Sequence, residues 1–283
     1  MESSQDSLLL IRSVYPSLYE AEMRIADRII QKPETVIHMT VAQLAREVGV
    51  ADSSVIRFCR KIGFDGFTQL KINLAQHLKN PGDVILNEIK DDDDSYTIVS
   101  KVFSASVNAL KETLEFLDKN ELSDAVEALL NAKRIEFYGV GTSATLAADA
   151  YYRFMRIGLP AYGATDPHIS KISAGMLDQD CVAFGISHTG RTIDTVKALR
   201  IARDRGAKTI CITSFTNSPI TEVADIKLVT STHESKFMKE AVSSRLAQVA
   251  LLDGLYSCVA MKKYDLAVRN LGNAADILNE MRY

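Results

Sequence analysis

At 283 residues the chain has room for one large domain or two ordinary ones. With 47% hydrophobic and 24% charged residues it can bury a full core, which excludes a disordered chain. Its 33 basic and 36 acidic side chains give a net charge of −3, which excludes a generally basic, nucleic-acid-coated protein but not a local basic patch.

The four cysteines, Cys59, Cys181, Cys211 and Cys258, are scattered without a Cys-x-x-Cys, and the five histidines do not cluster with them. They read as buried free thiols in a reducing compartment, with no zinc site. The opening MESSQDSLLL lacks the basic start and long apolar stretch of a signal peptide, and no run of 18 apolar residues occurs. The expectation is a cytoplasmic protein with no membrane span and no metal or cofactor.

The first eighty residues are expected to be all-helical. Leu18, Met23, Ile25, Ala26, Ile29 and Ile30 give 18–31 one apolar face, closed by Pro33. Val41, Leu44, Ala45 and Val48 do the same for 40–48, which Gly49 stops. A third helix is expected over 52–62, a turn over 63–67 and a fourth helix over 68–78, with no strand candidate among them.

Ala45, Gly49 and Val55 stand at helix-turn-helix spacing. The small residue lets two helices approach, the glycine makes the turn and the β-branched residue packs between them. The second helix would lie in the major groove of double-stranded DNA, presenting Ser53, Ser54 and Arg57, the arginine suited to bidentate contact with guanine or phosphate. Between positions 53 and 79 the basic residues are Arg57, Arg60, Lys61, Lys71 and Lys79, against the single carboxylate Asp65, a local net of +4. A plain helical bundle with solvated basic residues is the competing reading.

Asn80-Pro81-Gly82 is turn chemistry, and Asp91 to Asp94 is a run of like charge, so a linker is expected over 81–95 between a domain at 1–80 and another at 96–283. Two more helices are expected at 96–117 and 121–132. The pattern then changes to short apolar runs at 135–138, 160–164, 181–186, 208–213 and 226–230, most of them separated by helix-length segments. Strands alternating with helices argue an α/β doubly wound five-stranded parallel sheet, with its ligand at the carboxyl ends of the strands. Helices at 239–261 and 263–281 close it.

Two glycine turns stand out. Gly139-Val140-Gly141-Thr142-Ser143 follows the first strand, and Ser187-His188-Thr189-Gly190-Arg191-Thr192 follows the third. Unpaired amides at the start of the following helix suit an anion, Ser187, Thr189 and Thr192 add hydroxyls, and Gly190 permits close approach. The dinucleotide fingerprint lacks its third glycine, and no Gly-x-x-x-x-Gly-Lys-Ser/Thr occurs, which disfavours nicotinamide and nucleotide sites.

The run from Ala45 to Phe67, AREVGVADSSVIRFCRKIGFDGF, resembles the helix-turn-helix of the RpiR family of bacterial transcriptional regulators, and GVGTSA with ISHTGRT is similar to the sugar isomerase (SIS) domain that this family carries at its C-terminus. The resemblance implies a regulator, a repressor of carbohydrate-metabolism genes, that binds a DNA operator as a homo-oligomer, dimer or tetramer, and responds to a phosphosugar. It also implies that Ser187, His188, Thr189 and Thr192 hold the phosphate while Thr142 and Ser143 face the sugar. The family usually has serine where this chain has Ala51, so Asp52 or Ser53 is expected to cap the second helix.

An isomerase with a helical appendage is the alternative. Glu240, expected among the phosphosugar-binding residues, falls where related sugar isomerases carry a catalytic glutamate that moves a proton, although a glutamate at a helix start is also a common dipole partner. Asp166 and His168, after the second strand, read either as an acid/base pair or as an Asp-Pro turn beside an exposed histidine.

Overall fold

Apolar side chains at helical spacing decide the first part of the molecule. The structure, a computed structural model, describes residues 7–77, 89, 91–164, 166–232 and 242–281. Its first helices are Ser7–Val14 (α1), Glu20–Gln31 (α2), Pro33–Val36 (α3), Val41–Val48 (α4), Asp52–Lys61 (α5), Phe67–His77 (α6) and Ser95–Phe116 (α7). Ile11, Ile25, Ile29, Leu44, Val55, Phe58, Leu70 and Leu74 meet in one fully buried core. Helix α1, which the sequence pattern does not announce, supplies Leu8, Ile11 and Val14 to it.

Helix α4 is defined at both ends by its own residues. The Thr40 amide donates to Gln43 Oε1 (2.7 Å) and the Gln43 amide to Thr40 Oγ1 (3.2 Å), a reciprocal cap on two otherwise unpaired donors. Gly49 ends the helix at φ 69°, a left-handed conformation open to glycine, and the Val50 amide reaches back to the Ala45 carbonyl (2.9 Å). Helix α5 follows at once. Ala51 is its N-cap and offers no side-chain bond, while Asp52 and Ser53 lie within the helix. The expected substitute cap is therefore not formed: capping needs the extended backbone that Ala51 alone adopts here (φ −77°, ψ 150°).

This compact unit runs through α7 as far as Glu112 and takes in Phe215–Asn217 and residues 231–232 from later in the chain. Thr216 Oγ1 donates to Ser13 Oγ (3.3 Å), and Ser231 Oγ donates to Glu112 Oε2 (2.5 Å).

The second unit is built on a parallel sheet. Its strands are Arg134–Tyr138 (β1), Ala161–Ala164 (β2), Cys181–Ile186 (β3), Lys208–Thr213 (β4) and Ile226–Val229 (β5), in the order β2-β1-β3-β4-β5. All four pairings are parallel, as expected for a doubly wound sheet. The helices are Lys119–Asn131 (α8), Thr142–Arg156 (α9), Pro167–Ala174 (α10), Ile193–Asp204 (α11), Pro219–Val223 (α12), Val242–Lys262 (α13) and Tyr264–Glu280 (α14).

Alternation along the strands sorts the layers. Ile135, Phe137, Val182, Phe184, Ile210 and Ile212 point to the side covered by α8, α9, α13 and α14. Tyr138, Ala183 and Cys211 point to the side covered by α10, α11 and α12. Glu136 lies on that second side at 1% exposure, accepting from Tyr138 Oη (2.6 Å) and Ser173 Oγ (2.5 Å). Its bond to Ser173 fastens α10 to β1. Among the described residues no helix is long and apolar enough to cross a membrane.

Candidate functional site

Strand order locates the crevice. The chain leaves β1 for β2 on one side, while β3 lies on the other. In a doubly wound sheet such a reversal opens a ligand crevice beyond the carboxyl ends of the two strands. Tyr138 stands opposite Gly185 in the β1–β3 register, so the two glycine turns start side by side.

After β1, Gly139 packs so closely beneath the first turn of α9 that a Cβ there would overlap the Ser143 carbonyl oxygen. Gly141 follows at φ 62° and is the N-cap of α9, with no side-chain bond to the helix amides. Of those first-turn amides, the Ala144 amide donates to the Gly141 carbonyl (3.1 Å). Ser143 is buried and Thr142 exposed beside them.

After β3 the second turn is tightly laced. The Ser187 amide donates to the Ile212 carbonyl (3.1 Å), the Gly190 amide to the Ser187 carbonyl (3.0 Å) and the Arg191 amide to Thr189 Oγ1 (3.2 Å). Ser187 Oγ lies 3.1 Å from Thr192 Oγ1. Thr192 is the N-cap of α11 and makes no side-chain bond to it. Two helix starts without side-chain caps thus follow adjacent strands, each fronted by hydroxyls, an arrangement suited to holding an anion together with a polyhydroxy body.

His188 stands apart from its neighbours in this turn. Its Nδ1 lies 3.1 Å from Ser214 Oγ and 3.0 Å from Ser244 Oγ, so that edge of the ring is engaged with protein. Its carbonyl accepts from Thr213 Oγ1 (3.1 Å) and from the Ser214 amide (3.0 Å).

The possible acid/base pair resolves into a turn. Asp166 Oδ1 accepts from the amides of His168 (2.9 Å) and Ile169 (3.0 Å), capping α10. The bond from Ile169 is the main reason its carboxyl is held below the ordinary range. His168 is exposed. Glu240 lies outside the described residues.

On the helical unit, Ser53, Arg57 and Arg60 are exposed on α5 and Ser54 is half-buried. Lys61 is tied down: its Nζ lies 2.6 Å from Glu22 Oε2 and 3.3 Å from the Ser17 carbonyl, and sits over the Tyr19 ring. Burial works against the charge of Glu22, but the bonds from Lys61 and the Tyr19 amide hold its carboxyl below the ordinary range. Lys71 donates to the Met39 carbonyl (2.9 Å) and covers the Phe67 ring. The six basic and hydroxyl side chains expected at DNA therefore divide. Ser53, Ser54, Arg57 and Arg60 share the exposed side of one helix, while Lys61 and Lys71 brace the bundle.

Residues 5–81 match the family model of the rpiR helix-turn-helix domain, and residues 128–257 match that of the SIS domain. An uncharacterised HTH-type transcriptional regulator of Caldanaerobacter subterraneus subsp. tengcongensis is 38% identical, over 97% of this chain and 97% of its own. The chain belongs to the rpiR family of transcriptional regulators. An uncharacterised HTH-type transcriptional regulator of Haemophilus influenzae is 34% identical, over 100% of this chain and 99% of its own. Among solved structures, the NanR protein of Vibrio vulnificus, complexed with ManNAc-6P, is similar with a TM-score of 0.62 at 24% identity, covering 98% of this chain and 99% of that one. At that identity the likeness shows the shared fold. The family seen in the run from Ala45 to Phe67 and in the two glycine turns is thus borne out, with α4 and α5 as the rpiR helix-turn-helix.

Proposed function

We propose that this rpiR-family regulator is a sugar-phosphate-responsive repressor of carbohydrate-use genes, acting in the cytoplasm as a dimer or tetramer and without turnover of its ligand. The observation that carries the proposal is the pairing of two helix starts without side-chain caps, α9 and α11, at adjoining strand ends in a chain that also bears a helix-turn-helix. The turn from Ser187 to Thr192 takes the phosphate, and Thr142 and Ser143 face the sugar. Ser53, Ser54, Arg57 and Arg60 meet the operator, two half-sites being read by two copies.

Linkage sets the magnitude. The phosphosugar must bind one DNA-affinity state better than the other, and a coupling of about 1–3 kcal/mol changes operator affinity roughly 5- to 150-fold. A sensor is favoured over an isomerase because Asp166, the carboxylate at the ligand end of β2, is engaged as a helix cap.

The test is a melting screen of the full chain with hexose 6-phosphates and N-acetylhexosamine 6-phosphates, the second class prompted by the ligand of NanR. A ligand at a hundred times its Kd stabilises by about 2.7 kcal/mol. The hit should then alter operator affinity, and Ser187→Ala with Thr189→Ala should abolish both responses while DNA binding persists. A screen without hits, or a hit that is converted to product, overturns the proposal.

A further inference from the structure

His188 sits in the middle of the phosphate turn, yet its Nδ1 is bonded to residues outside that turn. The ring nitrogen Nδ1 lies between two hydroxyls, Ser214 Oγ at 3.1 Å and Ser244 Oγ at 3.0 Å. Ser214 Oγ in turn lies 2.9 Å from Thr230 Oγ1. Ser214, Thr230 and Ser244 are each at most 2% exposed, so the chain of hydroxyls runs through the interior. Its members come from the ends of three different elements: Ser214 follows β4, Thr230 follows β5, and Ser244 is in the first turn of α13.

Such a chain costs free energy if it is broken, because each buried hydroxyl or ring nitrogen that loses its partner also lacks water. The turn cannot move without moving the ring. The His188 carbonyl is pinned to Thr213 and Ser214, so the backbone of the turn pivots on β4 while the ring grips α13. Helix α13 is itself part of the core through Leu251, Leu252, Leu255 and Val259. A shift of its first turn is therefore felt along the packed side of the sheet.

We infer that His188 is a positioning residue: through Nδ1 it locks the phosphate turn to the first turn of α13, so that filling the turn is reported to that helix. The inference deepens the effector reading proposed above and rests on it for the ligand, though the lock itself does not need one. It gives the His188 side chain a role other than the one the family resemblance implied, in which His188 helps to hold the phosphate.

Two substitutions separate the two roles. Asparagine places its terminal polar group where Nδ1 stands, whereas glutamine places its own where Nε2 stands. Hydrogen exchange of the full chain, read on peptides covering Leu246 to Leu252, is compared for wild type, His188→Asn, His188→Gln and Ser244→Ala. Without ligand, His188→Gln and Ser244→Ala should each speed exchange there about tenfold or more, and His188→Asn should stay within about threefold of wild type. With N-acetylmannosamine 6-phosphate or the hit of the melting screen, exchange should slow in wild type and His188→Asn, and should not respond in His188→Gln or Ser244→Ala.

Unchanged exchange in ligand-free His188→Gln and Ser244→Ala overturns the lock. So does the opposite ranking, in which His188→Asn loses ligand affinity at least tenfold and His188→Gln keeps it, because that ranking places Nε2 on the phosphate. If wild type binds no sugar phosphate while the ligand-free ranking holds, the effector reading fails and the lock stands.

Discussion

Gly190 and Ser218 fit together with no room for a methyl group: a Cβ on Gly190 would overlap the Ser218 hydroxyl. Gly190 is also left-handed at φ 64°, and its carbonyl accepts from the Ile220 amide (3.0 Å). Gly190→Ala should therefore combine backbone strain of about 1–3 kcal/mol with a displaced α12. Urea unfolding should show the loss of stability, and calorimetry should show weaker sugar-phosphate binding. Adding Ser218→Gly should recover part of both losses. A single variant with wild-type stability would mean that the turn is looser than described.

The cap of α5 is a place where the fold can be improved. Ala51 has the extended backbone of an N-cap but no side-chain acceptor. Ala51→Ser should add a bond to an amide of the first turn and stabilise the helical unit by about 0.5–2 kcal/mol. A urea midpoint that does not rise would show that these amides are already satisfied by water at no cost.

Arg57 and Lys61 stand about one helical turn apart on α5 with opposite assignments. Arg57→Ala should weaken operator binding by about 1–3 kcal/mol if it reads a base, and leave the melting temperature near wild type. Lys61→Ala should lower the melting temperature by removing the partner of a buried carboxylate, because Glu22 is only 7% exposed. Gel-shift titration and calorimetry on both variants give the comparison. If Lys61→Ala instead lowers the salt dependence of DNA binding and leaves stability unchanged, it is a phosphate contact.

The same pair sets an acid limit. Glu22 has its folded carboxyl below the ordinary range, so the folded state holds the charged form more tightly than the unfolded chain does. Its contribution is complete above the unfolded carboxylate range and is lost as pH falls through the lowered folded value. Stability measured from pH 7 down to about pH 3 should decline less steeply in Glu22→Gln than in wild type. Parallel curves would show that the pair contributes nothing to folding.

How much of this was legible in the sequence depended on distance along the chain. The α4–α5 motif was readable because its determinants, Ala45, Gly49 and Val55, act on neighbours a few residues away. Strand β3 was readable because a parallel strand buried on both sides appears as an unbroken apolar run, and the shorter apolar runs of the other four sat between helix-length segments. Helix α1 was not, since consecutive leucines at its start blur a helical period, and α12 is only five residues long. The fates of Lys61 and Lys71 were hidden because Glu22 and Met39 lie 39 and 32 residues away. The Nδ1 partners of His188 lie 26 and 56 residues away, and no local pattern could have pointed to them.

The cysteines acquire a practical meaning. Cys59, Cys181 and Cys211 are buried, and burial pushes the thiols of Cys59 and Cys211 up to about 12, which keeps them protonated and unreactive at neutral pH. Cys258 is exposed, and it lies on α13. A thiol-reactive dye added to the natural chain should thus attach at one place, on the helix that His188 grips. The molecule comes with its own labelling handle, and a fluorescence titration could follow the effector's arrival without an engineered cysteine.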